Sequence, residues 1–214
     1  MRIAVISDIH DNVWKLEAAL KEIRELKPEA LICCGDLCSP FIIGLLKNGF
    51  PGPIHIVFGN NDADLYRITQ QAEAGRVMFY GELAEFVVQE EQLRSLKEAN
   101  PVIPGKRIAV NHFNYLARPM AASGKYDVVF YGHNHQYRHE RLGQLDVINP
   151  GAIMGYNPLA EGEKKYIVST FLIYDTTEGV EPSWYKVIAE EVKENKVKHV
   201  VSDYNKVAIE EFKL

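Results

Sequence analysis

Three short apolar runs near the start of the chain end in polar residues, and the first run is rich in β-branched residues. They cover residues 2–8, 29–36 and 53–62. Between the first two runs, apolar residues recur at helical spacing as far as Pro28, at Val13, Leu16, Ala19, Leu20, Ile23 and Leu26. A strand, a helix and a strand with short connections predict a βαβ unit with parallel strands.

After residue 75 the pattern loosens and favours further strands. The predicted strands are a hairpin-like pair over 76–88, single strands over 106–113 and 127–135, two strands around Gly143 over 137–153, and a hairpin over 165–189. Helices are predicted over 89–100, before Pro101, and over 115–126, where a loop also fits. Residues 190–214 are weakly patterned and allow a strand or a helical turn. Without repeats or linkers, we expect one domain over 1–214, with 190–214 as a C-terminal extension.

Composition narrows the class of protein. The chain has 214 residues, enough for one well-buried core, and its 24 basic and 29 acidic residues give a net charge of −5. That balance argues against a broad electrostatic grip on nucleic acid. Spanning a bilayer needs about 20 apolar residues in a run, and none is present, so we expect no membrane segment. The apolar run at the N-terminus is short and is broken by Asp8, so we do not expect a signal peptide there.

The three cysteines lie close together, at Cys33, Cys34 and Cys38. An odd, clustered set does not make a disulfide framework, which favours a reduced, cytoplasmic protein. A zinc site is the alternative. Because Cys33 and Cys34 fall inside an apolar run, we interpret them as buried strand thiols.

Five apolar runs end in residues that can bind metal. These residues are Asp8, His10, Asp36, Asn60, His112, His133 and His135. In an open α/β sheet, ligands bind in the crevice at the carboxyl ends of the strands, so these side chains should meet in one place. A single histidine is more often a surface or hydrogen-bonded residue. Clustered carboxylates and imidazoles behind apolar strands, however, would suffer desolvation and repulsion unless a cation compensates.

The ordered set of motifs resembles that of calcineurin-like metallophosphoesterases. The motifs are "DIH" at 8–10, "GD" at 35–36, "GNND" at 59–62, the histidine of "VNHF" at 110–113 and "GHNH" at 132–135. The motif spacing and "INPGA" at 148–152 resemble the small prokaryotic phosphodiesterase branch. The resemblance covers about residues 1–152 and implies two mixed β-sheets packed face to face and flanked by helices, an α/β fold with a dinuclear metal site at the strand ends.

The resemblance also implies how the ligands divide between two metal ions. One ion would be bound by Asp8, His10 and His135, the other by Asn60, His112 and His133, with Asp36 bridging. Nitrogen and oxygen donors of this kind suit manganese, which we expect here, or iron, zinc or nickel. The expected function is hydrolysis of phosphodiesters by a hydroxide held between two divalent ions. The expected partner is a small phosphoester, and a homodimer is compatible with the sequence.

Two positions depart from the family pattern. Asn61 occupies the slot of a histidine thought to protonate the leaving group, and asparagine cannot act as a general acid. From their position in the third motif, we expect Asn61 and Asp62 to be catalytic residues. Because the acid is missing, substrates with good leaving groups should be favoured. An alternative is that Asn61 only hydrogen-bonds the substrate or its own loop. Phe113 replaces a glycine and could form an apolar wall for a substrate base or aryl group.

Other functions fit the sequence less well than a metal-dependent phosphodiesterase. The motif after Gly35 lacks the arginine typical of protein Ser/Thr phosphatases. A non-catalytic scaffold like a retromer subunit of similar fold is the main alternative, although that subunit departs from the motifs kept here. A nuclease lacks support from charge. Trp14 and Trp184 are predicted to pack, Arg138 and His139 to lie on a solvated face, Arg118 to lie on the surface or meet a phosphate, and His55 to be buried or hydrogen-bonded.

Overall fold

The protein is described by a computed structural model over residues 1–96, 104–157, 161 and 167–178, together with the backbone of the strands within 185–211. The strands are β1 (Arg2–Ile6), β2 (Ala30–Cys33), β3 (Ile54–Ile56), β4 (Val77–Phe79), β5 (Leu83–Gln89), β6 (Gln92–Ser95), β7 (Arg107–Asn111), β8 (Val128–Phe130), β9 (Arg138–Leu142), β10 (Leu145–Asn149), β11 (Ser169–Asp175), β12 (Tyr185–Lys193), β13 (Lys196–Asp203) and β14 (Glu210–Glu211). The helices are α1 (Val13–Leu26), α2 (Phe41–Gly49), α3 (Leu65–Thr69) and α4 (Asn114–Ala122).

These strands form two mixed sheets. In the described residues, the first sheet has the order β13-β12-β11-β1-β2-β3-β4 and the second the order β14-β9-β10-β8-β7-β5-β6. Strands β1 to β4 are parallel, and β11 to β13 are antiparallel to their neighbours. In the second sheet, β7, β8 and β10 are parallel. The predicted fold of two mixed sheets with flanking helices is confirmed.

Side chains that alternate along β1 show how the layers are assembled. Ile3 and Val5 point into the core between the two sheets. This core also contains Phe130 of the second sheet and Tyr174 of the first. Ala4 and Ile6 point to the opposite face, where they pack with buried residues of α1 and α2. Helix α4 covers the outer face of the second sheet through Ala117 and Ala121.

Helix α1 starts and ends where the sequence predicts. The side chain of Asn12 caps it by accepting a hydrogen bond from the backbone N–H of Lys15, 3.2 Å away. Lys27 adopts a left-handed conformation just before Pro28 and closes the helix. Its buried face is Leu16, Ala19, Leu20 and Ile23, as the helical spacing implies.

Two predictions differ from the structure, and two helices are additional to them. The pair over 76–88 is not a hairpin, because β4 joins the first sheet and β5 the second. The helix predicted over 89–100 is wrong where the structure describes it: residues 92–95 form β6, paired antiparallel with β5. Helices α2 and α3 were not anticipated. Residues 196–203, left open between strand and helical turn, form β13.

No helix in the described part of the chain has both the length and the apolar character needed to cross a membrane.

Candidate metal centre

The seven predicted ligands meet in one cluster, but the strands that present them belong to both sheets. Strands β1, β2 and β3 of the first sheet lead into the loops of Asp8, His10, Asp36 and Asn60. Strands β7 and β8 of the second sheet lead into His112, His133 and His135. The cluster therefore lies where the edges of two packed sheets meet, and not at the edge of one open sheet as predicted.

One half of the cluster brings together Asp8, His10, Asp36 and His135, each with a donor atom within 4.8 Å of the others. His10 Nε2 lies 3.3 Å from Asp36 Oδ2 and 3.2 Å from His135 Nε2. His135 Nε2 lies 3.3 Å from Asp8 Oδ1. Two carboxylates that are almost fully buried therefore face two imidazoles, a set that suits a divalent ion.

The other half is built from Asn60, His112 and His133. The Asn60 Oδ1 atom lies 3.2 Å from His112 Nε2 and 2.9 Å from His133 Nδ1. The two imidazole nitrogens are themselves 3.3 Å apart. His112 is fully buried, whereas Asn60 is exposed and His133 is partly so, which leaves this half open to solvent.

Asp36 connects the two halves. Its Oδ2 atom is 3.3 Å from His10 Nε2 on one side and 3.4 Å from His112 Nε2 on the other. Asp8 also contacts both groups, but it meets the second one only through the backbone N–H of His133, at 3.1 and 3.2 Å. In the described part of the chain, Asp36 is the one predicted ligand whose carboxylate lies within 4 Å of imidazole nitrogens of both groups. This geometry agrees with the bridging role that the sequence resemblance implies.

Backbone carbonyls orient two of the histidines. The Nδ1 atom of His112 lies 2.8 Å from the carbonyl of Cys34, and that of His135 lies 2.5 Å from the carbonyl of Tyr156. A ring that donates its Nδ1–H to a carbonyl presents the Nε2 lone pair on its other side. Both Nε2 atoms face the cluster, so in this tautomer each can bind a cation through its lone pair.

The charges in the cluster shift the pKa of its members strongly. Burial would raise the pKa of Asp8, but hydrogen bonds with His10 and His135 lower it to about 2. Burial would lower the pKa of His10, but hydrogen bonds with Asp36 and Asp8 raise it to about 11. The pKa of Asp36 lies well below its usual range, because bonds with His10 and His112 outweigh its burial. The two carboxylates therefore attract positive charge.

Left-handed backbone is concentrated at the cluster. Of the seven predicted ligands, Asp8, His10, Asp36, His133 and His135 have positive φ, between 44° and 75°. Such conformations are unfavourable for residues with a Cβ, and proteins retain them mainly at functional sites. Close backbone packing adds to the constraint: a Cβ on Gly35, at φ 101°, would lie 2.6 Å from the Gly59 nitrogen.

Asp62 joins the loops after β2 and β3. Its buried carboxylate accepts hydrogen bonds from the backbone N–H groups of Asp36, Leu37, Cys38 and Gly59, at 2.7–3.0 Å. Both oxygens are used in this way, Oδ1 by Leu37 and Cys38 and Oδ2 by Asp36 and Gly59, all of them backbone donors. The contacts are those of a residue that positions Asp36, whereas the sequence led us to expect a catalytic role.

Asn61 lies beside the bridging carboxylate. Its backbone N–H donates to Asp36 Oδ1 and its side-chain amide donates to Asp36 Oδ2, both at 2.8 Å. Both bonds go to the loop after β2, so Asn61 does hydrogen-bond the protein, but not within its own loop as the alternative had it. The residue is exposed to solvent, so a substrate can still reach it.

Two residues that contribute to the site, Cys38 and Asn149, are not among the predicted site residues. Cys38 Sγ lies 3.5 Å from His10 Nδ1, on the side of the ring turned away from the carboxylates. Asn149 is buried and donates to the carbonyl of Gly132 at 2.9 Å and to Asn134 Oδ1 at 2.7 Å, which orders the loop of His133. The "INPGA" motif signalled Asn149, while the two-residue spacing from Asp36 was the available signal for Cys38.

The remaining cysteine and histidine predictions divide. Cys33 and Cys34 are buried, and burial raises the pKa of both thiols, as expected for strand thiols outside a zinc site. His55 is buried and hydrogen-bonded to Tyr80, as predicted. The prediction of a solvated face is wrong for His139, which is 2% exposed and lies 2.7 Å from Asp146.

The predictions for two further side chains have different outcomes: Arg118 lies on the surface, one of the two alternatives, whereas Trp14 does not pack. Arg118 does not point to the cluster but makes two hydrogen bonds to the buried carboxylate of Glu140, at 2.8 and 2.9 Å. Trp14, predicted to pack in the interior, is 68% exposed. Trp184 lies outside the described residues.

Comparison with known proteins agrees with the geometry. The calcineurin-like phosphoesterase superfamily domain matches residues 1–179. Phosphodiesterase MJ0936 of Methanocaldococcus jannaschii is 27% identical over 165 residues, an alignment that covers 73% of this chain and 86% of that protein.

Solved structures show the same fold. One, described as a novel archaeal phosphodiesterase, has a TM-score of 0.67 at 21% identity and covers 94% of this chain and 100% of its own. Vps29 of Entamoeba histolytica in complex with Zn²⁺ has a TM-score of 0.52 at 18% identity, covering 96% of this chain and 100% of its own. Together with the match over residues 1–179, the fold and the cluster lead to one conclusion: this chain belongs to the calcineurin-like phosphoesterase superfamily.

Proposed function

We propose that the protein is a metal-dependent phosphodiesterase that uses two divalent ions. The observation that carries the proposal is the position of Asp36 Oδ2, which lies 3.3 Å from His10 Nε2 and 3.4 Å from His112 Nε2. A carboxylate shared between two groups of imidazoles is the arrangement needed to bridge two cations. The 27% identity to a phosphodiesterase supports the same reaction class.

The donor atoms fit such ions. Asp8, His10 and His135 would hold one ion and Asn60, His112 and His133 the other, with Asp36 shared. All are oxygen or imidazole donors, which are compatible with manganese, the ion we propose, and also with iron, zinc or nickel. When bound, two such ions supply Lewis acidity, lowering the pKa of water and balancing the charge of a phosphate.

The chain's own residues prepare this site in three ways. The carbonyls of Cys34 and Tyr156 hold His112 and His135 with Nε2 facing inward. Asp62 positions the backbone around Asp36 through four hydrogen bonds, and we propose this positioning role in place of direct catalysis. Asn61, next to Asp36, can hydrogen-bond a phosphate oxygen but cannot protonate a leaving group.

The substrate class follows from the missing acid. A substrate whose leaving group departs without a protein-supplied proton should react fastest, which favours aryl or similarly activated diesters over alkyl ones. We propose a small phosphoester substrate and a reduced, cytoplasmic environment. The environment rests on the free thiols of Cys33, Cys34 and Cys38.

The second candidate is a non-catalytic scaffold. The likeness to Vps29 extends over 96% of this chain, although at 18% identity it speaks only for the fold. The complete set of seven donor residues favours catalysis, because a scaffold gains nothing from burying two carboxylates against four imidazoles.

The test is hydrolysis of bis(4-nitrophenyl) phosphate and 4-nitrophenyl phosphate by the protein supplied with Mn²⁺ and then treated with a chelator. We expect faster hydrolysis of the diester, lost on chelation and restored by Mn²⁺. Asp36→Asn should lose the activity. Asp64→Asn is the matched control, because Asp64 caps α3 and asparagine caps equally well. Absence of hydrolysis with every metal, in a correctly folded protein, would favour the scaffold.

A further inference from the structure

Exposed large hydrophobic side chains gather at the starts of the helices. Of the eight found among the described residues, six lie within the first three positions of α1 to α4: Trp14, Phe41, Leu65, Tyr66, Tyr115 and Leu116. Each of these helices follows a loop that carries ligands of the metal centre. Most of the exposed large hydrophobic side chains in the described part of the chain therefore lie at helix starts that follow ligand-bearing loops.

At the start of α4, the exposed ring of Tyr115 is connected to the cluster through Phe113. The ring of Phe113 lies next to the cluster histidines, with centroid distances of 5.2 Å to His112 and 5.5 Å to His133. On its other side, the ring of Tyr115 is 5.4 Å away at an interplanar angle of 32°. Tyr115 is 63% exposed. Phe113 and Tyr115 thus form a continuous aromatic surface from the Asn60 half of the cluster to solvent.

Local stability does not explain the ring of Phe113. This residue is the N-cap of α4, and its side chain makes no capping hydrogen bond. Serine, threonine, aspartate or asparagine at this position would stabilise the helix by about 1 kcal/mol relative to a residue that cannot cap. The sequence gives up that stabilisation and places a large ring beside the metal ligands. Departures from a local rule of this kind are expected at functional positions.

Nearby charge points to the kind of substituent that fits. Arg118, also on α4, is held by Glu140 on the outer face of the second sheet and does not point to the cluster. The helix therefore offers an aromatic surface at its start, with its arginine directed elsewhere. Such a surface suits a flat, uncharged ring better than a second phosphate.

We propose that Phe113 and Tyr115 form a subsite for a flat aromatic group carried by the phosphodiester, an aryl ring or a nucleobase. The inference rests on the proposed function, because the phosphate must lie at the cluster. Aromatic stacking of a base contributes about 1–3 kcal/mol by substitution in other proteins, enough to set substrate preference.

The experiment keeps the leaving group constant and changes the other substituent. The substrates are the 4-nitrophenyl esters of methyl phosphate, phenyl phosphate and thymidine 5′-phosphate, assayed with the Mn²⁺-loaded protein. Because 4-nitrophenolate leaves in every case, differences in kcat/KM report on the retained group. We expect the phenyl and thymidine esters to exceed the methyl ester by about tenfold, a ratio that corresponds to about 1.4 kcal/mol. A preference for thymidine over phenyl would identify a nucleobase as the aromatic group, and equal values an aryl ring in general.

The variants locate the preference. Phe113→Leu combined with Tyr115→Leu should reduce the phenyl-to-methyl and thymidine-to-methyl ratios to about twofold or less. Tyr66→Leu is the matched control: Tyr66 is the second residue of α3, as Tyr115 is of α4, and is 75% exposed. It should keep the wild-type ratios. Thermal unfolding of each variant checks that the fold is retained.

The outcomes separate the two proposals. Equal kcat/KM for the three esters in the wild type, or ratios unchanged in the Phe113 and Tyr115 variant, would overturn the subsite and leave the phosphodiesterase standing. An equal fall of these ratios in Tyr66→Leu would overturn the assignment of the subsite to Phe113 and Tyr115. Failure to hydrolyse any of the esters would contradict the phosphodiesterase itself and the subsite with it.

Discussion

At the scale of single residues, neighbours distant in sequence hold the ligands in place. Asp36 receives hydrogen bonds from both the backbone and the side chain of Asn61, and its own backbone N–H donates to Asp62. His112 is oriented by the carbonyl of Cys34, which precedes Asp36 by two residues. The motif residues of one loop therefore fix those of another, and a motif read alone underestimates what each residue does.

Replacing Asp62 separates positioning from catalysis. Asp62→Asn puts an NH₂ group against backbone N–H donors, and a buried donor left unpaired costs about 1–3 kcal/mol. We expect both a lower free energy of unfolding and weaker Mn²⁺ binding, measured by urea denaturation and metal analysis. Asp64→Asn, two residues further along the chain, should leave both the free energy of unfolding and Mn²⁺ binding near wild type. Lost hydrolysis with wild-type stability and metal content would instead assign Asp62 a direct catalytic role.

Asn61 tests the missing acid. Without a protein-supplied proton, the rate should depend steeply on leaving-group pKa across a series of aryl diesters. Asn61→His should speed hydrolysis of the poorest leaving groups most, by up to ~10²-fold, since a general acid contributes about 10²–10⁴-fold. Asn61→Ala removes the hydrogen bond to Asp36 without adding an acid and serves as control. A flat dependence in the wild type, with chemistry rate-limiting, would show that another group supplies the proton.

At the scale of elements, strands with apolar interiors were predictable and turns with unusual backbone were not. Strands β1, β2, β3, β7 and β8 appear where apolar runs predict them. Strand β6 was missed because its hairpin turns at Glu90 and Glu91, both with positive φ, 48° and 59°. Two-residue hairpin turns of this kind normally use asparagine or glycine, so a Glu-Glu pair among charged residues resembles a helix instead.

A buried charge cluster links β9 and β10. Asp146 Oδ1 is 2.7 Å from His139 Nε2 and 2.9 Å from Arg141 Nε. Asp146→Ala leaves both partners without their acceptor, and breaking a buried pair in this way costs about 3–5 kcal/mol. We expect a loss near the lower figure in urea denaturation, because Arg141 is partly exposed. Glu90→Ala, which removes a surface pair with Arg94, should change little. Equal effects of the two changes would contradict the account of this cluster.

At the scale of the whole molecule, the sequence predicted the sandwich and the ligand set but not how the sheets share the site. Motif order led to the seven predicted ligands, since each follows an apolar run, and the structure brings these residues together. It could not show that β4 and β5 separate into different sheets, because the connection at Gly81, with φ 72°, depends on tertiary packing. For the same reason, Trp14 was expected inside: amphipathic spacing gives the buried face of α1 but not the surroundings of its first turn.

The interior also predicts how stability depends on pH. Burial lowers the pKa of His55 from 6.5 to about 4. The unfolded chain therefore binds a proton at this residue near pH 6.5, while the folded chain does so only near pH 4, and stability falls as the pH drops between them. The loss attributable to His55 is about 3 kcal/mol. His55→Gln should flatten this part of the profile in urea denaturation at pH 7 and pH 4. Parallel profiles for wild type and variant would show that His55 is protonated equally in both states.

The central claim is that Asp36 bridges two divalent ions, and metal content measures it most directly. Wild-type protein, His10→Ala and Asp36→Asn are saturated with Mn²⁺, freed of excess by gel filtration and analysed for metal per chain. We predict close to two ions in the wild type, close to one in His10→Ala, which loses a ligand of one ion only, and well below one in Asp36→Asn, since both ions lose a ligand and then repel each other. A wild-type chain without metal, or an Asp36→Asn chain that retains two ions, would contradict the claim.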